Sequence, residues 1–121
     1  MAVSRTLDLR VGSAEDALDR FEAAWNRVAE GRAAPRLEVL SFPDLPLLLK
    51  TLTPARWALL AALGREKAGS VYELAKRLGR DYKNVHTDVA ALATLGLVAK
   101  DESGVSVPWQ AVRAELRLFT R

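Results

Sequence analysis

SVYELAKRLGRDYKNVHTDVAALATLGLV, residues Ser70 to Val98, decides the fold. Ser70 stands three residues before Glu73, so each side chain can satisfy the other's orphan backbone N–H at a helix start. Leu74, Ala75 and Leu78 then line one apolar face. Gly79 can take the left-handed conformation that ends a helix, and Asp81 can cap a new one two residues later. The second helix, Tyr82 to about Leu95, carries Val85, Val89, Leu92 and Ala93 at spacings of three and four, a stripe suited to burial. Gly96 ends it.

Two short helices joined by a turn of three or four residues form a helix-turn-helix. The outward face of the second helix is polar. Tyr82, Lys83, Asn84, His86 and Thr87 crowd its first two turns, the part of a recognition helix that reaches base edges and phosphates in a major groove.

Downstream, Leu97-Val98-Ala99-Lys100, the turn Asp101-Glu102-Ser103-Gly104 and Val105-Ser106-Val107 predict a β-hairpin closed by Pro108 and Trp109. A hairpin immediately behind a recognition helix is a wing. Lys100 is its candidate phosphate contact, whereas the acidic Asp101 and Glu102 predict a tip that touches a duplex weakly. Upstream, Thr53-Pro54 is an N-cap followed by a first-turn proline. The helix from Pro54 to about Arg65 is expected to bury Trp57, Leu59 or Leu60, Ala61 and Leu63.

Before this unit, Leu7, Leu9 and Val11 alternate with Thr6, Asp8 and Arg10, a half-buried strand. Ala14 to Glu30 follows as a helix whose stripe includes Ala17, Leu18, Phe21, Ala24, Trp25 and Val28. That stripe packs either within the monomer or against a second copy. Arg36 to Phe42 predicts a second strand, and Asp44 caps a short helical segment through Leu49. At the far end, Val112 to Phe119 alternates as a strand that would pair with the N-terminal strands. Trp25, Trp57 and Trp109 are expected to anchor the core or an interface.

The expected architecture is thus α+β: a winged helix-turn-helix with a three-helix core and a β-hairpin wing, carrying an N-terminal strand-helix-strand extension. The extension (1–52) would serve dimerisation or partner binding, 53–108 would form the DNA-binding domain, and 109–121 would return as a strand onto the N-terminal part.

Composition narrows the function. The chain of 121 residues is long enough for one core. It has no cysteine and one histidine, so thiolate chemistry is excluded and a zinc site disfavoured. Without a Gly-rich phosphate loop, or a carboxylate pair beside a base, no catalytic constellation assembles, and neither enzyme activity nor a cofactor is expected. Arg5, Asp8 and Arg10 interrupt any signal-peptide pattern and no apolar run is long enough for a bilayer, so a cytoplasmic chain without membrane contact is expected. Residues 1–53 hold seven basic against eight acidic side chains, residues 54–121 eleven against seven. The basic excess lies with the helix-turn-helix, which favours a polyanionic partner.

The order of capped helices, Leu-Gly-Leu-Val and hairpin resembles the winged helix-turn-helix of MarR-like prokaryotic transcription regulators. Over about residues 52–108, from Leu52-Thr53-Pro54 through Ser70-Val71-Tyr72-Glu73-Leu74-Ala75 to Gly79–Asp88, the chain is similar to small bacterial and archaeal DNA-binding proteins described as MarR-like regulators or as antitoxins. The resemblance implies that Tyr82, Lys83, Asn84, His86 and Thr87 contact bases and backbone in the major groove. It also implies phosphate contacts from Arg80 in the turn and Lys100 in the wing. The recognition helix carries few arginines, so a homodimer on paired half-sites is expected to supply the affinity. The implied function is sequence-specific double-stranded DNA binding as a dimeric transcriptional regulator, a repressor, with a cognate toxin as the partner if the chain is an antitoxin. The alternative is a winged helix used for protein–protein assembly without DNA. Asp88, one turn beyond Asn84, would repel phosphates and is expected to pair with Arg77 or Arg80.

Overall fold

A computed structural model describes residues 5–12, 25–26, 30–31 and 38–115. Among them the elements run β1 (Thr6–Val11), β2 (Val39–Phe42), α1 (Leu45–Thr51), α2 (Pro54–Arg65), α3 (Val71–Leu78), α4 (Tyr82–Thr94), β3 (Ala99–Asp101), β4 (Gly104–Ser106) and β5 (Ala111–Glu115). The class is α+β. None of these helices is long and apolar enough to cross a membrane.

The chain divides into two compact units. The first covers Leu52–Ala111 together with Arg5 and Thr6; the second covers the described residues from Leu7 to Thr51 and from Val112 to Glu115. The two units therefore alternate along the sequence, each built from two separate stretches of chain.

In the second unit a three-stranded sheet has the order β2-β1-β5. β1 and β2 are parallel, in the register Asp8↔Val39 to Val11↔Phe42. The alternation of β1 is realised: Leu7 and Leu9 are buried while Thr6, Asp8 and Arg10 are half-buried. Among the described residues, Phe42 of β2 and Leu48 of α1 are also buried apolar residues of this unit. α1 starts where Asp44 Oδ1 accepts from Leu47 N at 2.9 Å, with Pro46 inside the first turn, where its missing N–H costs nothing. The C-terminal strand does pair with β1, its described part being Ala111–Glu115, and Arg10 forms an ion pair with Glu115. The second strand begins at Val39. The expected helix Ala14–Glu30 lies almost wholly outside the described residues, as do Arg36, Leu37 and positions 116–121; Trp25 and Asn26 are helical, and Glu30 N donates to Asn26 O.

The first unit is built from capped helices. Thr53 accepts from Arg56 N, Ser70 from Glu73 N and Asp81 from Asn84 N, so each helix begins where its side-chain acceptor stands. Glu73 departs from the expected box: its carboxylate reaches past Ser70 and accepts from Gly69 N at 2.7 Å. Gly79 ends α3 at φ 65°, and Arg80 N donates to Ala75 O, closing the turn with the left-handed residue that glycine adopts at least cost. Leu59, Leu60 and Leu63 of α2, Val71, Leu74 and Ala75 of α3, and Val85, Val89 and Leu92 of α4 form one core with Leu52, Ala68, Leu97, Val98 and Val105.

β3 and β4 form an antiparallel hairpin tighter than expected, with Asp101 opposite Gly104. Leu97 and Val98 precede it as buried core residues. Between α2 and α3, Ala68 bridges β4: Ala68 N donates to Val105 O at 3.0 Å and Val105 N to Ala68 O at 2.8 Å. This pair fastens the hairpin to the helices.

The tryptophans differ from one another, and the expected burial of Trp57 is not met. Trp25 is 63% and Trp57 37% exposed, so neither is a core anchor, and Ala61 also faces solvent. On α2 the leucines at 59, 60 and 63 already supply the inward face, which turns positions 57 and 61 outward. Trp109 is half-buried, donates through Nε1 to Gly96 O at 2.9 Å, and lies under the Arg5 guanidinium, 4.6 Å from the ring centre.

Candidate nucleic-acid interface

The caps of α3 and α4 set what the first unit shows to solvent. Because Asp81 fixes the start of α4, Val85, Val89 and Leu92 face the core and Tyr82, Lys83, Asn84, His86 and Thr87 are all exposed. The five expected contact residues on the helix therefore share one solvent face. The Thr87 hydroxyl donates to Lys83 O, one turn back, at 3.0 Å. Tyr82 and His86 lie ring against ring, 5.8 Å apart and tilted by 40°.

Tyr72, at the start of α3, joins this surface and was not singled out by sequence. Its ring is 6.5 Å from that of Tyr82, and Lys76 Nζ sits 5.6 Å from the Tyr72 ring centre. The hint available in the sequence was its position: Tyr72 directly follows buried Val71 and so stands off the apolar face of α3.

Arg80 is placed differently. Its Nη2 donates to Asp88 Oδ2 at 2.7 Å, and Arg56 Nε from α2 donates to Asp88 Oδ1 at 3.0 Å. Asp88 thus ties the turn, α2 and α4 together, and the charge of Arg80 is already committed within the unit. Burial works to raise the Asp88 pKa, but the hydrogen bonds and charges of Arg80 and Arg56 outweigh it and hold the carboxyl below its usual 3.8. The expected partner Arg80 is present; Arg77 is not a partner and instead donates to the Glu66 and Lys67 carbonyls, capping the end of α2.

In the hairpin Lys100 is exposed on β3. Asp101 is turned into the loop, where it accepts from Ser103 N at 2.7 Å and Ser103 Oγ at 2.6 Å. Those bonds from Ser103, with the nearby charge of Lys67, hold its pKa below the usual value. Lys67 Nζ itself donates to Ser103 Oγ at 2.6 Å. The tip therefore presents a lysine beside its carboxylates and is less acidic than Asp101 and Glu102 alone suggest.

Other chemistry is sparse. Among the described residues no three His, Asp or Glu side chains gather as a metal site. An open groove of about 420 Å³ between α2 and α3 is lined by Ala58, Ala61, Ala62, Arg65, Glu66, Arg77 and Leu78, without a paired nucleophile and base.

No curated protein and no solved structure matches the chain. The family model HVO_A0114 matches residues 51–114, which span α2, α3, α4, the hairpin and most of β5. That is more than half of the chain, which is therefore a member of the HVO_A0114 family.

Proposed function

We propose that α2, α3, α4 and the β3–β4 hairpin act as a winged helix-turn-helix of the MarR-like type that binds double-stranded DNA in a sequence-specific way. The observation that carries this reading is the contiguous exposure of Tyr82, Lys83, Asn84, His86 and Thr87 on the first turns of a helix whose opposite face is locked in the core. None of these side chains is buried in the core, and they supply what groove recognition requires: an amide suited to adenine, a lysine suited to guanine or phosphate, and a helix start that can approach base edges. The hairpin, fastened through Ala68, is the wing, with Lys100 and Lys67 as backbone contacts. Arg80 is assigned to holding the turn and not to phosphate.

A homodimer acting as a repressor belongs to the same proposal, because Lys83 and Asn84 alone give one recognition helix few base-reading hydrogen bonds, and two-fold pairing doubles them. Leu49, the more exposed leucine of α1, offers an apolar contact for a second copy or for a toxin partner if the chain is an antitoxin.

The test is fluorescence anisotropy with a duplex from the gene's own upstream region and a scrambled duplex of equal length, at two salt concentrations. Specific binding should weaken with salt with a log–log slope of about −0.9 per phosphate neutralised. Replacing Lys83 and Asn84 together by Ala should abolish that specificity while the thermal melt stays within a degree or two of wild type, since both side chains are exposed. Equal, negligible binding of wild type to both duplexes would refute the reading.

A further inference from the structure

The strip formed by Tyr72, Tyr82 and His86 is not explained by folding. α3 buries Val71, Leu74 and Ala75, α4 buries Val85, Val89 and Leu92, and the rings stand outside both sets, Tyr72 62% and Tyr82 46% exposed. Aromatic area left in water is free to be covered by a ligand. Resting on the DNA-binding reading above, we propose that this strip reads the C5-methyl groups of thymines, so that the sequences bound carry thymine where the strip meets the major groove.

Three observations select this ligand. Lys76 Nζ lies 5.6 Å from the Tyr72 ring centre, and Lys83, exposed and next to Tyr82 in sequence, adds a second cation to the first turn of α4. Of the nearby carboxylates, Glu73 pairs with Arg77 and accepts from Gly69 N, while Asp81 keeps its charge and caps α4 through Asn84 N, so it is the two lysines that supply the charge a polyanion would meet. Next, the rings are tilted by 49° and 40° to their neighbours, so they cannot together form the flat platform on which successive unpaired bases stack. Rings set at an angle instead offer separate apolar faces, each large enough to cover a single small group. Lastly, thymine's methyl is the one apolar group displayed on the base edges of the major groove, and side chains that read it do so by apolar contact. Covering one methyl against such a surface is worth about fourfold in Kd.

The experiment selects bound duplexes from a random pool with the full chain. The preferred duplex is then synthesised with thymine and with deoxyuridine at each thymine position, singly and together, and Kd is measured by anisotropy. We expect the deoxyuridine duplexes to bind about fourfold more weakly for each methyl the strip covers. Tyr82→Ala or Tyr72→Ala should bring the thymine-to-uracil ratio towards one with an unchanged circular-dichroism spectrum, whereas Tyr72→Phe, which keeps the ring, should preserve it. Tight wild-type binding that does not distinguish thymine from uracil would overturn methyl reading and leave DNA binding standing. Failure to select any duplex would overturn both.

Discussion

Gly104→Ala should destabilise this protein far more than its place in a surface hairpin suggests. Gly104 opens β4 at φ 130°, a conformation that L side chains rarely adopt, and a Cβ added there would lie 2.1 Å from Ala68 O and 3.1 Å from Ala68 C. The atoms in the way belong to the backbone, so no side-chain rotation relieves the clash. Relief requires the hairpin to move off the Ala68 segment, which breaks the reciprocal 3.0 and 2.8 Å hydrogen bonds between Ala68 and Val105. Backbone strain in this region costs about 1–3 kcal/mol, and each lost hydrogen bond about 1 kcal/mol. The sum is on the order of 4 kcal/mol, a large share of the roughly 5–15 kcal/mol that holds a typical domain folded. At about 4–8 °C per kcal/mol for a unit of this size, Tm should fall by roughly 15–30 °C. Gly79→Ala is the control. Gly79 also has positive φ, but nothing lies within 4 Å of an added Cβ, so only the left-handed penalty of about 1–2 kcal/mol applies. Circular-dichroism melts of the two variants decide the matter: a Gly104→Ala Tm within about 5 °C of wild type, or a larger loss in Gly79→Ala, would refute the packing argument.

Two further changes probe the contacts that assemble the first unit. Asp88→Asn leaves the Arg56 and Arg80 guanidiniums without their shared carboxylate and should cost about 1–3 kcal/mol in urea denaturation at neutral pH, less than a fully buried pair because the group is partly solvated. Since the folded pKa of Asp88 lies below its usual 3.8, its contribution is complete above that value and is lost as pH falls through the lower, folded one; the advantage of wild type over Asp88→Asn should therefore shrink progressively as pH falls below about 4, and a difference that did not shrink with falling pH would contradict this. Trp109→Phe keeps a ring under Arg5 but removes the Nε1–H donor to Gly96 O, and a loss of about 1 kcal/mol in the same assay is expected, with no change in the denaturant slope.

The elements of the first unit were legible because their causes are local. Thr53, Ser70 and Asp81 each bond an N–H three residues on, and the spacing of Val85, Val89 and Leu92 fixes which side of α4 faces inward, leaving Tyr82, Lys83, Asn84, His86 and Thr87 outside. The alternation of β1 was legible for the same reason. The return of the terminal strand to the N-terminal strands and the pairing of Asp88 with Arg80 were anticipated, but tertiary structure decided the particular partners across long separations. β1 sits between β2 and β5, Ala68 holds Val105, Asp88 takes both Arg56 and Arg80, and Tyr72 comes beside Tyr82 from another helix. Trp57 was misread because an apolar residue at helical spacing is compatible with either side of α2 until its neighbours fill the core; Leu59, Leu60 and Leu63 filled it. Periodicity and capping act over one helical turn, whereas partner choice depends on which distant surfaces the packed core brings together.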